Sequence, residues 1–278
     1  MLATTTVVAD LVRQVAGDRL GVDCLMAAGI DPHSYRPTPR DADRLASATL
    51  VVANGLHLEG KLAGLLERLS GARRVLSVGE TLPAAELLAA GGGQFDPHVW
   101  FDPLLWSRAA APVAEALAAI DPPHAAEYRE RAVAYATRLQ AVDAAVRRRI
   151  ETIPESRRVL VTAHDAFRYF GRAYGIEVVG VQGTSTESEA GLADINRIVD
   201  LLVTRGIPAV FIETSVSDRS VTALREGAAA RGHTVAVGGT LHSDSLGGPG
   251  SGAETLEAAL EANVGAIVAG LSGTGDDP

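Results

Sequence analysis

Four residues of this 278-residue chain could together do metal chemistry: His33, His98, His164 and Asp244. They lie in the segments GIDPHSY, FDPHVWFDP, TAHDAF and HSDSLG, each following a predicted strand. Three imidazoles and one carboxylate are a complete ligand set for one divalent transition metal. The three histidines are separated by 65 and 66 residues, and a further 80 lead to Asp244. Such dispersal argues against a local zinc finger. It predicts a site assembled at the junction of two lobes, suited to capturing and carrying an ion.

The elements around these segments alternate. Predicted strands are Leu2–Val8, Leu20–Ala27, Thr49–Ala53 and Arg74–Val78, then Arg158–Thr162, Ile176–Val181, Ala209–Glu213 and His233–Val237. Predicted helices are Ala9–Ala16, Thr38–Ala48, Gly60–Leu69 and Pro103–Ile120, then Ala166–Tyr174, Gly191–Thr204, Asp218–Ala230 and Ala253–Leu271. Continuous apolar strands between helices indicate parallel sheets covered on both faces. From Pro123 to Thr152 there is no glycine and no internal proline, and Leu139, Val142, Val146 and Ile150 share a helical face. Glu127–Arg131 and Asp143–Arg147 are i,i+4 pairs with the acid first. The expected fold is therefore α/β. Two parallel-sheet lobes, residues 1–122 and 153–278, are joined by one long rigid helix over 123–152, with the site at the lobe interface. Ligands in such sheets collect beyond the carboxyl ends of the strands, where all four residues fall, two from each lobe.

Other features weigh less. His33 and His98 both sit in Asp-Pro-His, and Asp31, Asp96 or Asp102 could orient a ligand ring. His57, His124, His233 and His242 read as loop, helix-start, strand-start and rim residues. The stretch Gly55-Leu-His-Leu-Glu-Gly60-Lys61-Leu62 nearly matches a phosphate-binding loop, but it ends in leucine where Mg2+ needs a hydroxyl. It reads as a turn. Net charge is −9, which argues against nucleic acid as partner. Cys24 is the single cysteine and Lys61 the single lysine. No run approaches the length of a membrane span.

These segments carry a resemblance. The chain resembles the zinc/manganese solute-binding proteins of ABC metal importers, the TroA-like group. The matching stretches are GIDPHSYRPTPRDADRL, NGLHLEGKL, DPHVWFDP, VTAHDAFRYFGRAYGIEVVGVQGTSTESEAG, PAVFIETSVSDRSV and GGTLHSDSLGGPGS, in the family's order and end to end. The resemblance implies metal ligands at His33, His98, His164 and Asp244. It also implies two α/β lobes joined by a long helix, and an ABC permease with a separate ATPase subunit as partners. A monomer on the periplasmic or extracellular face of the cell membrane is expected. The family usually has an N-terminal lipid-anchored cysteine. The chain departs there, since Cys24 lies inside the fold, and tethering by a leader is an expectation only.

The function expected is capture of one divalent ion, Zn2+ or Mn2+ with Fe2+ admitted, and delivery to the permease, without catalysis. The rival reading is a metal-dependent enzyme or chelatase using the same three-histidine, one-aspartate site, with Glu187, Glu189 or Glu213 as a base. A third is a surface adhesin with a structural metal. Histidine ligands must be neutral, so affinity is expected to fall below about pH 6. The glycine-bearing segments 182–190 and 238–250 are expected to absorb what movement there is.

Overall fold

The computed structural model describes residues 1–70, 75–188 and 190–272. Arg74, Glu189 and the end of the second lobe beyond 272 lie outside the described residues. The first lobe begins with β1 (Leu2–Ala3), α1 (Thr6–Ala16), β2 (Asp23–Cys24), α2 (Pro39–Ser47), β3 (Val51–Ala53), α3 (Ala63–Ser70) and β4 (Val75–Ser77). Its sheet is parallel throughout, in the order β2-β1-β3-β4. The strand expected over Leu2–Val8 contracts to two residues. The β-branched run Thr4–Val8 suggested strand, but Thr5 Oγ1 accepts from the Val8 amide at 3.3 Å and caps α1. Val7, Val8, Leu11, Val12 and Val15 then bury at helical spacing, and tertiary burial overrides propensity.

Next come an antiparallel hairpin, β5 (Ala89–Gly91) and β6 (Gln94–Phe95), and two helices, α4 (Pro103–Ser107) and α5 (Ala110–Ile120). The hairpin was not expected. Gly91, Gly92 and Gly93 all have positive φ, which builds its turn. The single helix expected over Pro103–Ile120 is broken at Arg108 and Ala109.

The long helix is α6 (Ala125–Ile150), entered through a 3-10 turn at Pro122–His124. In that turn the Asp121 carboxylate accepts from Tyr128 and lies 2.9 Å from His124 Nδ1. Tyr128, Ala132, Tyr135, Leu139, Val146 and Ile150 bury along one face. Both expected charge pairs form, Arg131–Glu127 at 3.2 Å and Arg147–Asp143 at 3.3 Å. The helix packs against α1, α4 and α5 on one side. It also packs against two helices of the second lobe, α7 (Arg168–Tyr174) and α10 (Leu256–Ser272).

The second lobe is built from β7 (Val159–His164), β8 (Glu177–Gln182), α8 (Leu192–Arg205), β9 (Ala209–Glu213), α9 (Arg219–Ala229) and β10 (Ala236–Leu241), with α7 and α10. Strands β7 and β8 pair in parallel, as do β9 and β10, and β7 lies beside β9. The last strand therefore sits later than expected, and Gly238 and Gly239 belong to it, at a bulge after Val237. A side chain on Gly180 of β8 would overlap the Asp165 backbone, so this glycine lets the turn after His164 close against the sheet. Among the described residues no helix is long and apolar enough to cross a membrane.

The largest hydrophobic core is shared between the lobes. It joins Val8 and Leu11 of α1, Trp106, Leu117, Leu139 of α6, Phe167, Phe170, and Leu260 and Ile267 of α10. Phe101 and Phe167 meet across the junction with ring centroids 4.3 Å apart. Smaller cores lie on the outer sides, around Leu45 and Val51 in one lobe and around Val161 and Leu202 in the other. Most of the buried hydrophobic residues are thus held in common by the two lobes. We predict that Leu139→Ala, at a fully buried position of α6, destabilises the protein by about 2–5 kcal/mol. Tryptophan fluorescence reads the first lobe, which holds Trp100 and Trp106, and circular dichroism reads both. In urea the two transitions should shift together; separate transitions would show that the shared core does not couple the lobes.

Candidate metal centre

Both Asp-Pro-His segments fold the same way. Asp31 Oδ1 accepts from the His33 amide at 2.9 Å, and Asp96 Oδ1 accepts from the His98 amide at 3.0 Å. An aspartate that binds the backbone two residues on, with proline between to preset φ, is a local turn that needs no strand or helix. It aims each histidine inward from a loop. The second segment is further anchored from both lobes. Asn54 Nδ2 donates to Pro97 O at 3.0 Å, and Tyr169 Oη donates to Asp96 O at 3.0 Å. His164 is the last residue of β7 and is pointed by the sheet itself. Asp244 lies three residues beyond β10. Its loop is held by Asn263, which bonds the amide and the carbonyl of His242, each at 2.8 Å. Trp100 Nε1 donates to Ser243 O at 3.1 Å from the opposite lobe.

These supports bring all four residues together. His33 is 3% exposed, His98 and His164 0% and Asp244 1%. One ligand atom from each lies within 4.8 Å of all the others. His98 Nε2 is 3.3 Å from His33 Nε2, 3.4 Å from His164 Nε2 and 3.3 Å from Asp244 Oδ1. Asp244 Oδ2 is 3.3 Å from His164 Nε2 and 3.9 Å from His33 Nε2. A tetrahedral zinc ion with ligands at about 2.0–2.1 Å needs neighbouring ligands about 3.3 Å apart. Neither oxygen of Asp244 has a hydrogen-bond partner, although both are buried. That is the signature of donors arranged around a cation.

Behind two of the rings stand further carboxylates. Asp96 Oδ1 is 2.8 Å from His98 Nδ1. Glu213 Oε2 is 2.6 Å from His164 Nδ1, with angles outside hydrogen-bond geometry, while Glu213 Oε1 accepts from the His164 amide at 2.9 Å. A carboxylate on Nδ1 selects the tautomer whose Nε2 lone pair faces the centre. Of the acids considered from the sequence, Asp96 takes this role. Asp31 reaches only the backbone of its histidine, and Asp102 caps α4 and meets Arg172 at 3.0 Å. Glu213, read as a strand end or a base, is buried and committed to His164. Its signal in the sequence was an acid ending an apolar strand one strand away from a ligand.

The remaining candidates fall elsewhere. His57 is exposed, in a turn where Leu56 and His57 have φ of 54° and 64°. In that turn Glu59 points inward and accepts from the Asn54 and Gly55 amides at 2.7 and 3.1 Å and from Thr4 Oγ1 at 2.6 Å. The amides a phosphate would need are taken by a carboxylate, so the loop is a structural turn. His233 meets Ile207 O at 2.9 Å. Cys24 is half-buried and its thiol donates to Met26 O; burial pushes it up to about 11.

Comparison with known proteins gives the chain its family. Residues 1–270 match the family model described as the periplasmic component A of a zinc-uptake complex. The chain belongs to that family. It is 43% identical over 272 residues to the zinc-binding protein TroA of Treponema pallidum (strain Nichols), covering 98% of this chain and 88% of the relative. It is also 43% identical over 270 residues to the manganese-binding lipoprotein MntA of Bacillus subtilis (strain 168), covering 97% and 88%. The solved structure of the periplasmic zinc-binding protein TroA from Treponema pallidum superposes with a TM-score of 0.95 over 98% of both chains.

Electrostatics at the centre are uneven. Burial pulls His98 down, but the Asp244 carboxylate 3.3 Å from its Nε2 and the Asp96 carboxylate bonded to its Nδ1 outweigh it and hold it up to about 9. His164 is likewise held above its ordinary range, against burial, by the charges of Glu213 and Asp244. Burial opposes charge on Asp244 too, yet His164 and His98 keep it well below the carboxylate range. His33 goes the other way: desolvation lowers it to about 4. Protons on His98 and His164 thus occupy the place of a cation. His98 lies above its ordinary 6.5, so its contacts stabilise the unloaded fold below that pH and fade as pH rises through about 9. A metal ion taking His98 Nε2 must expel that proton. We predict that metal affinity keeps rising from pH 6.5 to about 9, not only up to about 6 as expected from free imidazoles. Calorimetry in buffers of different ionisation enthalpy should show proton release throughout that range; a plateau above pH 7 would contradict it.

Proposed function

We propose that this chain is the extracytoplasmic solute-binding component of an ABC importer. It captures one divalent transition metal ion, Zn2+ or Mn2+, and delivers it to the membrane permease, whose energy comes from a separate ATPase subunit. His33, His98, His164 and Asp244 are its ligands. The single observation that carries this reading is the convergence of three Nε2 atoms and one carboxylate within 4.8 Å, buried where loops of the two lobes meet. Residues 1–122 and 153–278 act as the two jaws, and 123–152 as the brace between them. The chain works as a monomer tethered to the outer or periplasmic face of the membrane.

The spacing of the donors favours tetrahedral Zn2+. Asp244 turns one oxygen towards His98 and the other towards His33 and His164. Bidentate binding would raise the coordination number and admit Mn2+ or Fe2+. Catalysis fits the site poorly. Four protein donors fill a tetrahedral shell, whereas catalytic zinc keeps a position open for water. Glu213, a nearby acid that could serve as a base, is engaged with His164. The ion is therefore cargo.

Competition titration of metal-stripped protein against a chromophoric chelator tests the reading. One equivalent of Zn2+ should bind tightly and Mn2+ measurably more weakly, with no turnover of model esters or phosphoesters. His98→Ala or His164→Ala should weaken Zn2+ binding at least a hundredfold while leaving the circular dichroism of the apoprotein unchanged, because the shared core forms without the ion. Glu213→Gln should weaken it about 10–100-fold, as removal of an outer partner does. Binding of neither ion by the unsubstituted chain would refute the assignment.

A further inference from the structure

The four proposed ligands are not held equally. His164 is set by a strand and backed by Glu213. His98 is backed by Asp96, and Asp244 sits in a loop tied to Asn263 and Trp100. His33 lies in an irregular segment between β2 and α2. Among the described residues no carboxylate bonds its Nδ1. It is also the one proposed ligand whose side chain is not fully buried, at 3%. Its neighbours Asp31 and Ser34 border a cleft of about 490 Å3. Opposite them, Gln182, Thr186 and Ser215 line it together with the apolar Ile195 and Val216.

Across this mouth the His33 segment is fastened to the second lobe through Asp31. Asp31 Oδ1 accepts from the His33 amide at 2.9 Å, and Oδ2 accepts from Thr186 Oγ1 at 2.6 Å. Ser34 Oγ donates to the same Oδ2 at 2.7 Å. Two further contacts flank it. The Gly29 amide donates to Ser245 Oγ at 2.9 Å, and Lys61 Nζ lies 3.1 Å from Glu187 Oε1. The lysine pair is more than a third exposed on both sides, so solvent screens it and it contributes little. The half-buried hydroxyl–carboxylate bond is charge-assisted and short, and it is the stronger fastening.

We propose that His33 is the exchange ligand, the one that leaves the ion first. Thr186 is the positioning residue that governs this step, by holding Asp31 and so the His33 backbone across the lobe junction. This rests on the metal-capturing reading and adds a direction, in and out on the His33 side of the site. Loss of the Thr186 hydroxyl frees the Asp31 carboxylate from the second lobe but removes no metal donor. Dissociation is then accelerated, while the coordination of the bound ion stays as it was.

The test is stopped-flow dissociation of the Zn2+-loaded full chain into excess chelator, with the Co2+-loaded protein as a spectroscopic reporter. Thr186→Val should raise the dissociation rate about tenfold and leave the association rate within about twofold. Its Co2+ absorption bands and melting temperature should match the unsubstituted chain, and Thr186→Ser should restore the slow rate. Thr137→Val, which removes an exposed hydroxyl on α6, is the control and should change nothing. An unchanged dissociation rate in Thr186→Val overturns the proposal, as does an altered Co2+ spectrum, which would make Thr186 a shaper of coordination. If the unsubstituted chain takes up no Zn2+, the transport reading falls and this one with it. Normal uptake with an unaltered rate sinks only the exchange-ligand proposal.

Discussion

Everything in this fold answers to one electrostatic constraint: a carboxylate is buried without a hydrogen-bond donor other than imidazole. Both oxygens of Asp244 are shut away from water and neither meets a backbone or hydroxyl donor. An ionised carboxylate in that position costs several kcal/mol unless a cation compensates it. Two more acids, Asp96 and Glu213, are buried just behind the rings. The centre is therefore built to be positive in the middle. Without metal, protons on His98 and His164 supply that charge. On the proposed reading a bound ion would supply it instead, and the outer carboxylates would switch from stabilising imidazolium to raising the basicity of neutral ligands.

Such a centre is useful only if its donors keep their places when empty. Protonated rings whose Nε2 atoms lie 3.4 Å apart, as those of His98 and His164 do, would otherwise separate. The long helix α6 and the shared core prevent this. Leu139 and Ile150 of one helix are packed into the same cluster as α1 from the first lobe and α10 from the second. A packed interior is not continuously deformable, so the lobes cannot swing apart as two bodies on a flexible strand would. Selectivity becomes geometric: the frame offers donor separations near those of a tetrahedral ion, and Asp244 alone has the second oxygen needed to extend the shell.

Much of this was legible in the sequence because the ligand segments carry their own local rules. Asp-Pro-His specifies a turn by itself, and all four segments follow strands, so their meeting at one edge was predictable from topology. The brace helix was legible from the absence of glycine and proline and from two acid-first pairs, both of which form. What the sequence concealed depended on tertiary contact. The run Thr4–Val8 carries strand propensity, yet it enters a helix because its valines bury together. Glu213 looked like any strand end; its importance comes from β9 lying beside β7. The shared core was hidden because apolar periodicity shows which face of a helix is buried, not which lobe buries it.

The uneven support of the four proposed ligands suits what a carrier must do. Equal, fully backed ligands would hold an ion tightly and release it slowly, since every bond would have to break from a rigid element. Here three donors come from anchored segments and one from a loop whose own fastening lies across the junction, on Asp31 and Thr186. Affinity is set by the sum of all four bonds, whereas the rate of escape is set by the easiest first step. On the exchange-ligand proposal, separating the two lets the rigid frame choose the metal while a single hydrogen bond at the rim sets how long it stays. A contact at that rim, where the two lobes meet in front of His33, is the place at which a docked membrane partner could change the second without disturbing the first.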